Sequence, residues 1–214
     1  MSTVDYPISL AIEDYVPVLC TAFGVLLLHR IAPSGPAVRL AAALLGIGGI
    51  AKATAKLIAA AGGPDLIWLR GMLFPFLTLG FGLLTVALLR DGSGRVPRWL
   101  AILVPSLIAA CALGAILARD ALPMLVSTTV FATIASIHLI GLARARGDTV
   151  SAALLGIQLL VFFLLGPLAS RPDQTVALQW IEQLCNTAAQ VAFLAAAWRL
   201  SATHAAPKDQ EMIH

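Results

Sequence analysis

The sequence predicts an all-α, polytopic membrane protein, a bundle of seven transmembrane helices. Three observations carry that prediction. Hydrophobic residues fill 59% of the 214 positions and charged residues only 12%, with a mean hydropathy of +0.91; a soluble domain of this length needs far more polar surface. The apolar stretches run to about 20 residues, the length a helix needs to cross a bilayer. They lack the period-2 alternation of barrel strands, and in lipid an open segment satisfies its own backbone only as a helix.

The spans fall at 8–30, 38–61, 65–90, 97–118, 121–143, 150–169 and 175–200, one domain over residues 1–200. Turn chemistry separates them: Ala-Pro-Ser-Gly-Pro at 32–36, Gly-Gly-Pro-Asp at 62–65, Asp-Gly-Ser-Gly at 91–94, Arg-Gly-Asp at 146–148 and Arg-Pro-Asp at 171–173. The shortest connection is Ala-Arg-Asp-Ala-Leu-Pro at 118–123. Residues 201–214 are polar and are expected to form a disordered cytoplasmic tail. Asp5, with no Lys or Arg in the first ten residues, is the reverse of a signal peptide's basic start, so the first span is expected to stay in the mature chain.

Arg30, Arg39, Arg90, Arg95, Arg98, Arg144, Arg146, Arg199 and Lys208 fall on one side, and Lys52, Lys56, Arg70, Arg119 and Arg171 on the other. The positive-inside rule then places the N-terminus outside and the C-terminus in the cytoplasm of a plasma (inner) membrane. The same placement accounts for the net charge of +3, so no nucleic-acid partner is expected. Arginine outnumbers lysine eleven to three, which suggests a GC-rich bacterial source. Cys20, Cys111 and Cys185 each lie within an apolar run without CxxC spacing and read as core residues.

Short matches hint at a repeat. Ala-Ala-Leu-Leu-Gly-Ile stands at 42–47 and again at 152–157, His29 and His138 are each followed two residues later by Ile, and Trp68 and Trp180 open the third and seventh spans. Two parallel triplets joined by a fourth helix would produce this pattern. In topology that arrangement resembles the three-plus-one-plus-three architecture of the SWEET sugar transporters and of microbial rhodopsins. The resemblance implies a site where the repeats meet. The seventh span has no lysine to hold retinal, and no haem or metal motif occurs, so the cofactor is unknown.

The seventh span carries the clearest polar signal. Gln179, Glu182, Gln183, Asn186 and Gln190 project within an arc of about 100° at 3.6 residues per turn, opposite an apolar face. Unsatisfied amides and carboxylates in lipid cost several kcal/mol each, so this stripe must face helices or water. Charges from other spans fall at similar depth: Glu13 and Asp14 in the first, Lys52 and Lys56 in the second, Arg70 in the third. Lys52 lies within about 5 Å of the midplane by helix rise, and such a lysine pairs with an acid or lines water. Lys52 or Lys56 is expected to pair with Glu182, and Arg70 with Asp14 or Asp65.

Pro75 is expected to kink the third helix, and the Gly166-Pro167 pair to break the sixth near its end. Ser127, Thr128, Thr129, Thr133 and Ser136 can bond their own carbonyls and are given no role. The binding candidates are therefore Asp14, Lys52, Lys56, Arg70, Gln179, Glu182, Gln183, Asn186 and Gln190. They point to a polar cavity in the outer half, suited to a transporter or permease for a small anionic or zwitterionic solute, with acids such as Glu182 able to couple protons. The same pocket would serve a sensor subunit, a non-catalytic subunit of a membrane complex, or a lipid-modifying enzyme. No nucleophile–base pair or metal set is visible to support catalysis. The expected partners are the bilayer, a small polar ligand, and a second copy or a membrane-complex subunit.

Overall fold

The computed structural model describes residues 7–90, 95–169 and 175–205. Every regular element among them is a helix, as predicted for the fold class. In order these are α1 (Ile8–Glu13), α2 (Tyr15–Leu27) with a 3₁₀ turn (Leu28–Arg30), α3 (Gly35–Ala60), α4 (Ile67–Gly71), α5 (Leu73–Leu88), α6 (Arg98–Ala118), α7 (Leu122–Ala145), α8 (Thr149–Ala169) and α9 (Val176–Ala205). Five segments are long and apolar enough to cross a membrane: Ile8–Arg30, Gly35–Ala60, Ile67–Leu88, Arg98–Ala118 and Leu122–Ala145. The turns expected at 91–94 and 171–173 lie outside the described residues. So does most of the expected tail, while α9 itself continues past position 200 to Ala205.

Two helices are broken, each four residues before a proline. Pro17 has no N–H for the Glu13 carbonyl and its ring crowds that oxygen; α1 ends at Glu13 and α2 begins at Tyr15. Pro75 acts on the Gly71 carbonyl in the same way, and α4 ends there before α5 resumes at Leu73. The break expected at Gly166-Pro167 does not occur, since α8 runs through to Ala169. Proline late in a membrane helix is tolerated where neighbours or local adjustment satisfy the freed carbonyl. Gly62 and Gly147 close α3 and α7 with positive φ, and the next residue's N–H returns to Ile58 and Ala143.

Six of these helices form a closed ring: α2 packs on α3, α3 on α5, α5 on α7, α7 on α8, α8 on α9, and α9 back on α2. α6 lies outside it, against α5 and α7, and buries only Leu100, Val104 and Cys111. Its outward Ile102, Ile116 and Leu117 are exposed, as lipid contact allows. Lipid tails are as apolar as leucine, so ring closure depends on close packing and hydrogen bonds. Gly24 lies against Phe193, Gly48 against Phe76, Gly49 against Val18 and Gly80 against Leu45.

The ring has two unlike ends. At the end bearing Arg90, the main core joins Val25, Leu28, Val38, Leu88, Leu155 and Leu200 into an apolar plug. Thr85 Oγ1 lies 3.0 Å from the Phe131 carbonyl, and Ser201 donates to the Leu27 carbonyl at 2.9 Å. Asp148 caps α8, accepting from the Ser151 hydroxyl at 2.6 Å and from its N–H at 3.0 Å, and pairs with Arg199 at 3.1 Å. At the end bearing Asp14 the interior is polar.

Adding a methyl at Gly48 would place it 2.6 Å from Phe76 Cβ and 3.3 Å from the Leu73 carbonyl, whereas nothing lies within 4 Å at Gly141. Both alanine substitutions gain the same helix propensity, about 1 kcal/mol. Gly48→Ala is therefore expected to unfold more readily in detergent than Gly141→Ala, by roughly 1–3 kcal/mol of overpacking. Equal thermal unfolding of the two variants would refute the close α3–α5 contact.

The Ser151 hydroxyl and N–H, aided by Arg199, pull the Asp148 carboxyl from its ordinary 3.8 to about 2. Because the folded-state value is the lower one, its stabilisation is complete above pH 4 and is lost as pH falls through about 2. Asp148→Ala is expected to cost about 1 kcal/mol at neutral pH and to flatten that acid limb in a thermal-unfolding pH series.

Candidate functional site

The break before Pro17 turns two consecutive acids towards different helices. Glu13 accepts a hydrogen bond from the Thr187 hydroxyl of α9, while Asp14 pairs with Lys56 of α3 at 2.7 Å. One residue on, the Tyr15 hydroxyl meets Thr54 of α3 at 2.8 Å. A turn and a half further, Thr21 Oγ1 lies 2.9 Å from Gln190 Oε1 on α9. The α1–α2 segment is thus tied to both ring neighbours through polar groups at membrane depth.

Between these ties lies a cavity of about 180 Å³ whose wall includes Asp14, Lys52, Lys56, Gln183, Asn186 and Gln190. The Asp14 carboxylate is 12% exposed and the Lys56 ammonium side chain 28%, so the chamber reaches the surface at that end. Lys52, one turn deeper on α3, is half-buried and, among the described residues, makes no ion pair. Gln183 Nε2 is buried without a partner. By formal charge the wall carries two cations and one anion.

A second chamber of about 190 Å³ adjoins the first and shares Thr21, Leu77, Asn186 and Gln190 with it. Its remaining wall is mostly apolar, with Phe81, Phe162 and Phe193 prominent. Gln158 also lines it, and its Oε1 is buried without a partner. Among the described residues, no group of three or more His, Cys, Asp or Glu side chains gathers to hold a metal ion.

Six of the nine sequence candidates therefore converge: Asp14, Lys52, Lys56, Gln183, Asn186 and Gln190. The other three stand off the wall of this chamber. Arg70 pairs with Asp65 at 3.0 Å in an exposed position, one of its two expected partners. It stands on α4, the short helix before the Pro75 break. Gln179 and Glu182, at the start of α9, lie beyond the chamber wall. Lys56 pairs with Asp14 at 2.7 Å, an acid expected to meet Arg70.

Sequence reasoning missed Pro17, which creates the junction, and Thr21 and Gln158, which border the second chamber. Gln158 had a readable signal, as the one amide in an otherwise apolar span. The helix 122–145 hydroxyls also do more than expected: Ser127 and Thr128 meet Thr78 of α5 at 3.0 and 2.9 Å. Thr129 bonds its own i−4 carbonyl, as expected. Comparison with known protein families, characterised proteins and solved structures finds no match to this chain.

The Asp14–Lys56 pair is testable by a double-mutant cycle. Asp14→Asn and Lys56→Met are each expected to destabilise the protein, and the double variant to recover part of the loss. A coupling of roughly 0.5–3 kcal/mol from thermal unfolding is expected for groups in contact; additive effects would show that the pair holds nothing.

Proposed function

We propose that this chain is a small-solute transporter or permease for anionic or zwitterionic compounds. In this reading it crosses a bacterial plasma membrane seven times, with its N-terminus outside and its C-terminus in the cytoplasm. The observation that carries the proposal is Lys52. An ammonium at membrane depth is costly unless a counter-charge or water meets it. Among the residues that line its chamber, Lys52 and Lys56 share the single carboxylate of Asp14, which pairs with Lys56 at 2.7 Å, so a passing anion would balance the second ammonium.

Three features support transport over passive binding. The Lys52 chamber borders one end of the ring while a dry core fills the other, the arrangement of a carrier caught facing one side. Thr21 Oγ1 lies 2.8 Å from the Pro17 carbonyl and 2.9 Å from Gln190 Oε1, and its one proton serves one acceptor at a time. That α2–α9 contact stands at the chamber wall, where a passing solute would meet it. The ring order also suits a duplication: α2, α3, α5 and α7, α8, α9 follow one another alike, and each triplet ends against the start of the other. α6 outside the ring would be the linker between them.

Proteoliposomes test the proposal with a panel of radiolabelled small organic acids and amino acids. At least one anion is expected to accumulate. Lys52→Met is expected to cut its initial uptake about tenfold, the value of one lost charge-assisted hydrogen bond. Uptake unchanged by Lys52→Met, or none for any solute, would defeat the reading.

A further inference from the structure

We propose that the two chambers form one amphiphilic site, and that the transported compound is a monocarboxylate with a flat apolar body and a hydroxyl or N–H at its far end. This rests on the transport reading above and names its substrate class. Each chamber alone, at about 180 and about 190 Å³, falls short of the roughly 300 Å³ at which ligand sites begin; joined, they pass it. They meet at the neck formed by Thr21, Leu77, Asn186 and Gln190, so one ligand can occupy both.

Chemistry orients the ligand. The outer chamber has a net charge of one cation, which suits a single negative charge and disfavours a dianion. Lys52 offers a donor at the wall, and Gln183, whose buried Nε2 has no hydrogen-bond partner among the described residues, supplies a second on turning into the chamber, matching the two oxygens of a carboxylate. The inner chamber offers the faces and edges of Phe81, Phe162 and Phe193 to an apolar body. Gln158 stands at its wall, and its buried Oε1 has no hydrogen-bond donor among the described residues; a turn of that side chain into the chamber would bring the acceptor to a hydroxyl or N–H on the ligand.

The purified chain in lipid nanodiscs, titrated with radiolabelled 4-hydroxyphenylacetate, tests this directly. Unlabelled 4-hydroxyphenylacetate is expected to compete about fivefold better than phenylacetate. Phenylacetate is expected to compete at least tenfold better than acetate, which cannot fill the inner chamber. Tyramine, with the same ring and an ammonium in place of the carboxylate, is expected not to compete. Gln158→Leu is expected to erase the preference for the hydroxyl while leaving phenylacetate within about twofold, and Lys52→Met to weaken all the acids. The ranking of unlabelled compounds on the unaltered protein needs no variant to fold.

Acetate competing as well as the aromatic acids would overturn the two-chamber site; Lys52-dependent uptake of small acids would then still leave the transport reading standing. Tyramine competing better than the acids would overturn the assigned charge. Failure of every probe to bind would overturn the substrate class, and failure of the proteoliposome panel as well would take the transport reading with it.

Discussion

Pro17 has no amide hydrogen to give the Glu13 carbonyl, and the polar half of the bundle is arranged around that missing bond. Consecutive helical residues leave the axis about 100° apart, and Asp14 keeps helical dihedrals at the junction. Glu13 reaches Thr187 on α9 and Asp14 reaches Lys56 on α3. Carboxylates at this depth need partners, and each finds one on a different neighbour. The α1–α2 segment therefore does two things at once: it closes the ring, and it leaves room between its two contacts for water or a ligand. Pro75 breaks α4 from α5 in the same manner at the same end, and there Arg70 of α4 meets Asp65 in an exposed pair.

The wet half depends on the dry half. In lipid there is little hydrophobic gain from bringing helices together, so a ring enclosing polar space needs another source of cohesion. At the Arg90 end that source is visible. Small residues along α2, α3, α7 and α9, such as Ala41, Ala135 and Ala196, let backbones approach closely around Leu28, Leu139 and Leu200. Hydroxyls of Thr85 and Ser201 cross to carbonyls on neighbouring elements. With that end locked, the Asp14 end can keep side chains such as Gln183 short of protein partners without the ring opening.

The all-α class and the membrane-competent helices were legible because they follow from composition, run length and turn residues, which are local properties. The convergence of Asp14, Lys52, Lys56, Gln183, Asn186 and Gln190 was legible for a related reason: helical period fixes which residues share a face, and polar faces avoid lipid. Pairing was less so. Depth alone could not assign Asp14 to Lys56, because that pairing depends on which helices are neighbours. The role of Thr78 was hidden for the same reason. A threonine in an apolar helix ordinarily bonds its own turn, and only the α5–α7 contact shows it meeting Ser127 and Thr128 instead.

On the proposed duplication, the register that superposes Trp68 on Trp180 also superposes Thr78 on Gln190. Each triplet then crosses to the other through a polar contact at the same level, Thr78 with Ser127 and Thr128 across α5–α7, and Gln190 with Thr21 across α9–α2. The two contacts differ in kind. Thr78 is fully buried and also lies 3.0 Å from the Met124 carbonyl, so its side chain is held from three directions. Thr21 divides one proton between two acceptors and borders both chambers. On the transport reading proposed above, the α5–α7 seam is the one suited to stay fixed, and the α2–α9 contact at Thr21 is the one a solute would meet, while Ser201 holds α9 to Leu27 at the far end.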